Sequence, residues 1–273
     1  MYRKRFGLRA HPLQKDVQGP TFFSETRGYQ RLERAFEVLV EDRGLGVLTG
    51  VAGVGKTAAI RNLCRALPRP EYRVLYLCDT AVAPLDMYRT LALELGVTPS
   101  HRRSQLWADL KKALMHLVDE QATLPVIVID EAQHLSDRFL ADLTGFLNFA
   151  FDSRDLFPLW LVGMPPLTRN LRMQRHAALA MRVAVHVHLE PPDRDEFGAM
   201  VAHGLVAAGA KSKLLSDPAI EMLLRASHGL PRLASRLLRT SLREAHRRDQ
   251  DFVDEHIVEA AIDQMGLPIA VSA

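Results

Sequence analysis

GVAGVGKT, residues 50–57, stands between a short apolar run at residues 46–49 and a helix-like run from 56 to about 67. The spacing GxxxxGK[ST] between a strand and a helix predicts a phosphate-binding loop. Glycines let consecutive backbone N–H groups wrap phosphate oxygens at a helix N-terminus, where the helix dipole also favours anions. Candidate nucleotide contacts are Gly50, Val51, Ala52, Gly53, Val54, Gly55, Lys56, Thr57 and Ala58. Lys56 is expected to reach the β- and γ-phosphates, and Thr57 to offer its hydroxyl to magnesium.

One strand and two helices further on comes PVIVIDEAQHL, residues 125–135. The continuous apolar run at 125–129 is that of a strand buried on both faces, and it delivers two carboxylates at its C-terminal end. Asp130 is the candidate magnesium ligand, acting through water, and Glu131 the candidate that polarises the attacking water. Further strands are expected at 74–78, 159–162 and 183–189. Helices are expected at 26–41, 84–95, 104–120 and 137–151. This alternation implies an α/β unit with a parallel sheet and helices on both faces. After Pro192 only helical patterns follow, at about 193–208, 218–227, 231–247 and 254–265. The expected division is a basic arm over 1–20, a nucleotide-binding α/β domain over 21–191 and a small helical lid over 192–273.

Composition narrows the class. The chain has 273 residues, 48% hydrophobic and 25% charged, which suits a folded core domain with a satellite rather than general disorder. No apolar run reaches the roughly 18–20 residues that span a bilayer, and no apolar segment follows the basic start as in a secretory signal. Cys64 and Cys78 have apolar neighbours and are expected to be buried, reduced thiols, in keeping with a cytoplasmic setting. His186 and His188 alternate on the last strand with no third ligand at a sensible spacing, which argues against a metal. The net charge is only +3, but arginine clusters: residues 3–15 carry five basic residues and no acidic one.

The ordered set GVAGVGKT, VIVIDEAQHL, LWLVG with Pro165-Pro166-Leu167, AMRVAVHVHLEPP and SHGLPRLASRLLRTSL resembles one branch of the AAA+ ATPases. That branch holds the ExeA-like ATPases of general secretion and the transposition regulators of the TnsC, TniB and IstB kind. RFGLRAHPL followed by TFFSE resembles the start of the same branch, so the resemblance covers about residues 5–250. It implies a P-loop AAA+ core with a helical lid, ATP and magnesium as cofactors, and ATP hydrolysis at subunit interfaces. It also assigns Arg182 as an arginine finger, with Arg172 and Arg175 as rivals, and Arg232 as the lid arginine that senses the γ-phosphate. Phe22 and Phe23 either flank the adenine or belong to the core. Relatives often end the fourth strand in Gln or Asn to orient the hydrolytic water. This chain has Gly163-Met164, and methionine cannot make that hydrogen bond, so either slow hydrolysis or a substitute such as Asn148 is expected.

Secretion relatives usually continue into a transmembrane helix and a cell-wall-binding domain. Residues after the lid, up to Ala273, suggest neither, so the expectation is a free-standing ATPase that regulates transposition. The implied partners are further copies in a ring or helical filament, duplex DNA irrespective of sequence, a transposase and an adaptor protein, with no membrane. Candidate DNA contacts are Arg102, Arg103, Lys111 and Lys112. A second basic stripe, Arg232, Arg236, Arg239, Arg243 and Arg247, falls on one helix face. A secretion-assembly ATPase acting on protein partners, or a nucleotide-gated scaffold with negligible turnover, is the alternative.

Overall fold

The computed structural model describes residues 2–17 and 19–266. Met1, Gln18 and residues 267–273, which fall in the expected arm and lid, lie outside the described residues. In chain order the elements are α1 (Tyr2–Arg5), α2 (Arg27–Asp42), β1 (Gly44–Gly50), α3 (Lys56–Ala66), β2 (Tyr72–Leu77), α4 (Pro84–Glu94), α5 (Arg103–Asp119), β3 (Leu124–Ile129) and α6 (Asp137–Phe146). They continue with β4 (Pro158–Gly163), α7 (Pro166–Leu171), α8 (Ala177–Ala180), β5 (Val183–Leu189), α9 (Arg194–Ala207), α10 (Asp217–Ser227), α11 (Pro231–Arg247) and α12 (Glu255–Met265). The chain divides into two compact units. One runs over Arg31–Val51 and Leu63–Leu189; the other comprises the residues up to Gln30, Ala52–Asn62 and those from Glu190 onward.

The first unit is an α/β fold built on a five-stranded sheet in the order β2-β3-β4-β1-β5, with every pairing parallel. Strands β3 and β4 are buried along almost their whole length, as their unbroken apolar runs require. Strand β1 is buried too, and it carries a glycine where a side chain would not fit. A Cβ on Gly46 would lie 2.7 Å from Leu39 and 2.8 Å from the indole of Trp160, itself fully buried. The edge strand β2 alternates instead: Leu75 and Leu77 face the core, while Val74 and Tyr76 are exposed.

Several expectations shift. The helix expected over 137–151 ends at Phe146; Phe149 is already extended (φ −117°, ψ 146°), and Ala150, Phe151 and Asp152 then take left-handed backbone (φ 49°, 56° and 65°). Lys111 Nζ helps to close that helix, donating to the carbonyls of Gly145 (3.2 Å) and Asn148 (2.7 Å). Cys64 is buried, and burial raises its thiol pKa to about 12, but Cys78 is exposed because it follows an edge strand. The short helices α7 and α8 were not expected; Pro166 stands at the first turn of α7, where a missing N–H costs nothing.

In the second unit, residues 193 onward form four helices whose starts are locally specified. Asp193 and Glu196 make a reciprocal capping box at α9, and Ser216 and Asp254 cap α10 and α12. The residues read as a basic arm are part of this unit. Tyr2, Phe6 and Leu8 are buried in its core with Phe197, Leu237 and Leu238, and Arg5 pairs with Asp249 and with Asp251 (2.7 Å).

Replacing Gly46 by Ala is expected to lower stability by about 1–3 kcal/mol, since both neighbours are held in a close-packed layer. A thermal or urea melt of the G46A protein checks this, and an unchanged midpoint contradicts it.

Candidate functional site

Parallel pairing brings the C-terminal ends of β1, β3 and β4 to one edge of the sheet. Gly50 ends β1 there, and the loop that follows opens α3. Within the loop Gly53 and Gly55 have φ of 83° and 108°, values that favour glycine, and the space where a Gly55 Cβ would stand is open. Lys56 is 8% exposed at the first position of α3. An open cradle of backbone N–H groups with a buried cation at a helix start is the donor set a polyphosphate requires, so these residues fit a nucleotide.

Arg232, at the second position of α11, lies against this loop. Its backbone N–H donates to the Gly53 carbonyl at 3.2 Å, and a Cβ on Gly53 would come 3.2 Å from the Arg232 Cβ. The turn before α11 depends on Gly229 (φ 69°), where a Cβ would sit 3.2 Å from Pro191 and from the Pro192 carbonyl. Phe22 packs at 4.9 Å on Tyr29, and Phe23 at 5.6 Å on His203 beside the helical core.

At the end of β3 the two carboxylates are held differently. Asp130 is buried; its Oδ2 accepts from the Tyr76 hydroxyl at 2.9 Å and its Oδ1 from the Glu131 N–H at 2.8 Å. Although the Tyr76 ring is partly exposed, desolvation of its hydroxyl first, then the Asp130 charge, raises its pKa, so the phenol stays a donor. Glu131 is exposed and takes left-handed backbone (φ 53°, ψ 33°), a conformation unusual for glutamate. Two contacts hold it there. The Thr80 hydroxyl donates to its carbonyl at 2.9 Å, and Gln133 Nε2 donates to its Oε2 at 2.7 Å.

Gln133 also explains the missing polar residue at the end of β4. Its Oε1 accepts from the Met164 N–H at 2.9 Å, so one amide bridges the β4 terminus to the Glu131 carboxylate. Gly163 leaves the room: a Cβ there would stand 2.7 Å from Gln133 Oε1. Asn148, the expected substitute, follows α6, and its carbonyl accepts from Lys111 just before the chain turns back into β4. That is the far edge of the sheet, whereas Gln133 stands beside Glu131 and the end of β4. The signal was present in DEAQ, a glutamine two residues after Glu131, but its reach to residue 164 depends on the tertiary fold.

Arg182 immediately precedes β5. The register pairs Leu45 with Val183 and Gly50 with Leu189, so Arg182 lies a strand length, roughly 20 Å, from Gly50. It pairs with Asp152 of the left-handed turn, beside the fully exposed Phe151 and the exposed Met181. Of its rivals, Arg175 pairs with Asp137 at 3.0 Å, and Arg172 is exposed near His186. The hydrogen bond from buried His176, together with Arg175, holds the Asp137 carboxyl below its usual range. His186 and His188 both meet the Thr49 hydroxyl, at 3.3 and 3.0 Å, and no group of three metal-ligating side chains occurs among the described residues. On α5, Arg103 pairs with Asp142 at 2.9 Å and stacks over Trp107 (4.6 Å), and Lys111 is committed to α6. Arg102 and Lys112 are exposed.

Comparison with known proteins agrees with this geometry. Residues 40–171 match the AAA domain family. General secretion pathway protein A of Aeromonas hydrophila is 28% identical over 250 residues, covering 91% of this chain and 45% of that protein. The chain thus spans less than half of that relative. Among solved structures, Cdc6p from Pyrobaculum aerophilum superposes with a TM-score of 0.72 at 18% identity, covering 99% of this chain and 72% of the other. The Aeropyrum pernix ORC1 protein in complex with DNA gives 0.69 at 19% identity, covering 90% of this chain and 67% of that one. The matched residues 40–171 include the phosphate-binding loop and the Asp130–Glu131 pair, so the likeness to the AAA domain family falls on this candidate site.

Proposed function

We propose that the chain binds ATP with magnesium, hydrolyses it slowly between neighbouring copies, and uses the cycle as a switch for assembly on duplex DNA. The observation that carries the chemistry is Glu131, held in left-handed backbone with its carboxylate bridged by Gln133 to the end of β4. Strained backbone kept by specific contacts is a feature of functional positions. Lys56 and the loop from Gly50 to Ala58 would take the phosphates. Thr57 and Asp130 would hold magnesium, which supplies charge neutralisation on the phosphates. Glu131 would accept the proton of the attacking water, and Gln133 would keep it aimed. Arg232, anchored at Gly53, would sense the nucleotide from α11.

Arg182 is assigned to the neighbour's nucleotide. It stands roughly 20 Å from the Gly50 of its own chain, beyond the reach of its side chain, on a surface with Phe151 and Met181 exposed. Assembly would exchange Asp152 for the neighbour's phosphate. A ring or a helical filament satisfies this geometry.

The partner reading is finer. A DNA-bound regulator of transposition, acting on a transposase with or without an adaptor, is supported by the motif resemblance and by the arginine-rich surfaces. The secretion reading, with a protein partner, is favoured by the similarity to general secretion pathway protein A over most of this chain. Among the described residues no helix is long and apolar enough to cross a membrane.

Lys56→Ala is expected to abolish ATP binding, measured by equilibrium titration. Glu131→Gln is expected to keep ATP binding and lose about 10²–10⁴-fold in kcat, the range of a positioned general base. Gln133→Ala should lower kcat by about 10- to 100-fold with little change in KM, as misorientation of a reacting group does. Parental turnover in either protein removes the assigned role.

Action across the interface has its own test. Arg182→Ala and Glu131→Gln proteins, each inactive alone, are mixed. If the finger works in trans, one in-register interface pairs an intact Glu131 with an intact Arg182, and ATPase activity returns. A mixture as inactive as its components rules the trans finger out.

A further inference from the structure

The stripe of arginines on α11 is divided by the structure among three environments. Arg232 meets the nucleotide loop through its backbone. At the other end Arg247 is neutralised by Glu244 at 2.6 Å and bonded to Gln264 at 2.8 Å. Between them, Arg239 and Arg243 lie over the N-terminal segment, which packs α1 against α11. The Arg243 guanidinium is 5.9 Å from the Tyr2 ring centre. Arg239 Nε donates to the Ser235 carbonyl at 3.0 Å, a bond that leaves its two terminal nitrogens unused. Arg3 donates to the Arg9 carbonyl at 3.3 Å.

These three side chains converge on one hydrogen-bonded pair, the Tyr2 hydroxyl and His11 Nδ1, 2.6 Å apart. The charged groups acting on that pair are Arg3, Arg239 and Arg243, all cations. Burial, then those cations, holds the His11 pKa below its usual range, so the imidazole adds no charge at neutral pH. Nearby arginines that do have carboxylate partners, Arg5, Arg247 and Arg248, use them elsewhere. Among the described residues, Arg3, Arg239 and Arg243 form no ion pair. Gathering like charges without a counter-charge destabilises a fold, and a bound anion relieves the repulsion. Guanidinium forks suit phosphate oxygens, which they can hold bidentately.

Spacing narrows the anion. Exposed Arg236, with Arg239 and Arg243, covers about 10 Å along a rigid helix at 1.5 Å per residue. A strand of duplex DNA presents one phosphate per roughly 3.4 Å of axis, so such a row can meet two or three.

We propose that Arg3, Arg239 and Arg243, bordered by Arg9 and Arg236, form a site for the phosphodiester backbone of duplex DNA, and that α11 links it to the nucleotide loop. The proposal rests on the DNA-switch reading above and gives that reading a location. The first turn of α11 is bonded to Gly53 and its third and fourth turns carry the DNA site, so a shift of α11 on nucleotide exchange moves both. No base-reading side chain is needed, and binding is indifferent to sequence.

The test is anisotropy of a labelled random-sequence duplex with full-length protein at several salt concentrations, in ADP and in a non-hydrolysable ATP analogue. The Arg239→Gln/Arg243→Gln protein should bind at least tenfold more weakly at low salt. Its slope of log K against log salt should be flatter by about 2, at about 0.9 for each phosphate no longer neutralised. ATP affinity should match the parent, and the melting temperature without DNA should be no lower, since like-charge repulsion is reduced. Lysine at both positions should restore the slope, and Arg247→Gln should change neither quantity. If the parent binds duplex in neither nucleotide state, the DNA reading itself falls. Parental binding with an unaltered slope in the double glutamine variant overturns the site alone. Release of bound duplex by polyglutamate, with polyglutamate itself held by the same arginines more tightly than duplex, overturns DNA as the occupant in favour of an acidic protein segment.

Discussion

Strands β1, β3 and β4 are flanked by strands on both edges and packed on both faces, so their length can hold almost nothing but apolar side chains and glycine. Every polar group the sheet contributes to chemistry is therefore displaced to the strand ends, and parallel pairing collects those ends at one edge. Gly50, the Asp130–Glu131 pair and Gly163-Met164 all stand there for that reason. Arg182, just before β5, lies at the opposite edge.

At the crowded edge, order is achieved by a few directed hydrogen bonds rather than by packing. Asp130 has both oxygens engaged, by a phenol and by a backbone N–H, which fixes its orientation before any cation arrives. Glu131 is exposed and would otherwise sample several rotamers. The Gln133 amide offers its two ends to two different elements, and that bifunctional use is open to an amide and not to methionine. Gly163 is thus the mark of a relocated polar group: the strand end gives up its own side chain so that one from the next loop can occupy the space.

The sequence was most legible where local pattern and chemistry coincide. GVAGVGKT and VIVIDE carry their own context, since the strand, turn and helix are written within a dozen residues. The helical stretch after Pro192 is equally plain because Asp193, Ser216 and Asp254 mark its helix starts. What escaped depends on distance in sequence. Tyr76 meets Asp130 only because β2 pairs with β3, and Gln133 meets Met164 only because β3 pairs with β4. The left-handed run at residues 150–152 also escaped: Ala-Phe-Asp contains no glycine to announce it. The first residues looked like a basic arm because charge dominates their composition. Three apolar residues among those charges, Tyr2, Phe6 and Leu8, suffice to fold them onto the helical core.

That last packing alters how the arginines of α11 are understood. On an isolated helix, five arginines at steps of three and four residues form a face that water and salt screen, and they carry little information. Once α1 lies against α11, two of them share a surface with Arg3 around the half-buried Tyr2–His11 bond, while Arg247 is neutralised and Arg232 is bonded through its backbone to Gly53. A uniform stripe thereby becomes three positions of different electrostatic character on one rigid rod. Sharp kinks in helices arise mostly at proline or glycine, and α11 contains neither beyond the proline of its first turn. On the proposal above, a displacement at the nucleotide loop would be carried along α11, and the middle arginines would follow the first.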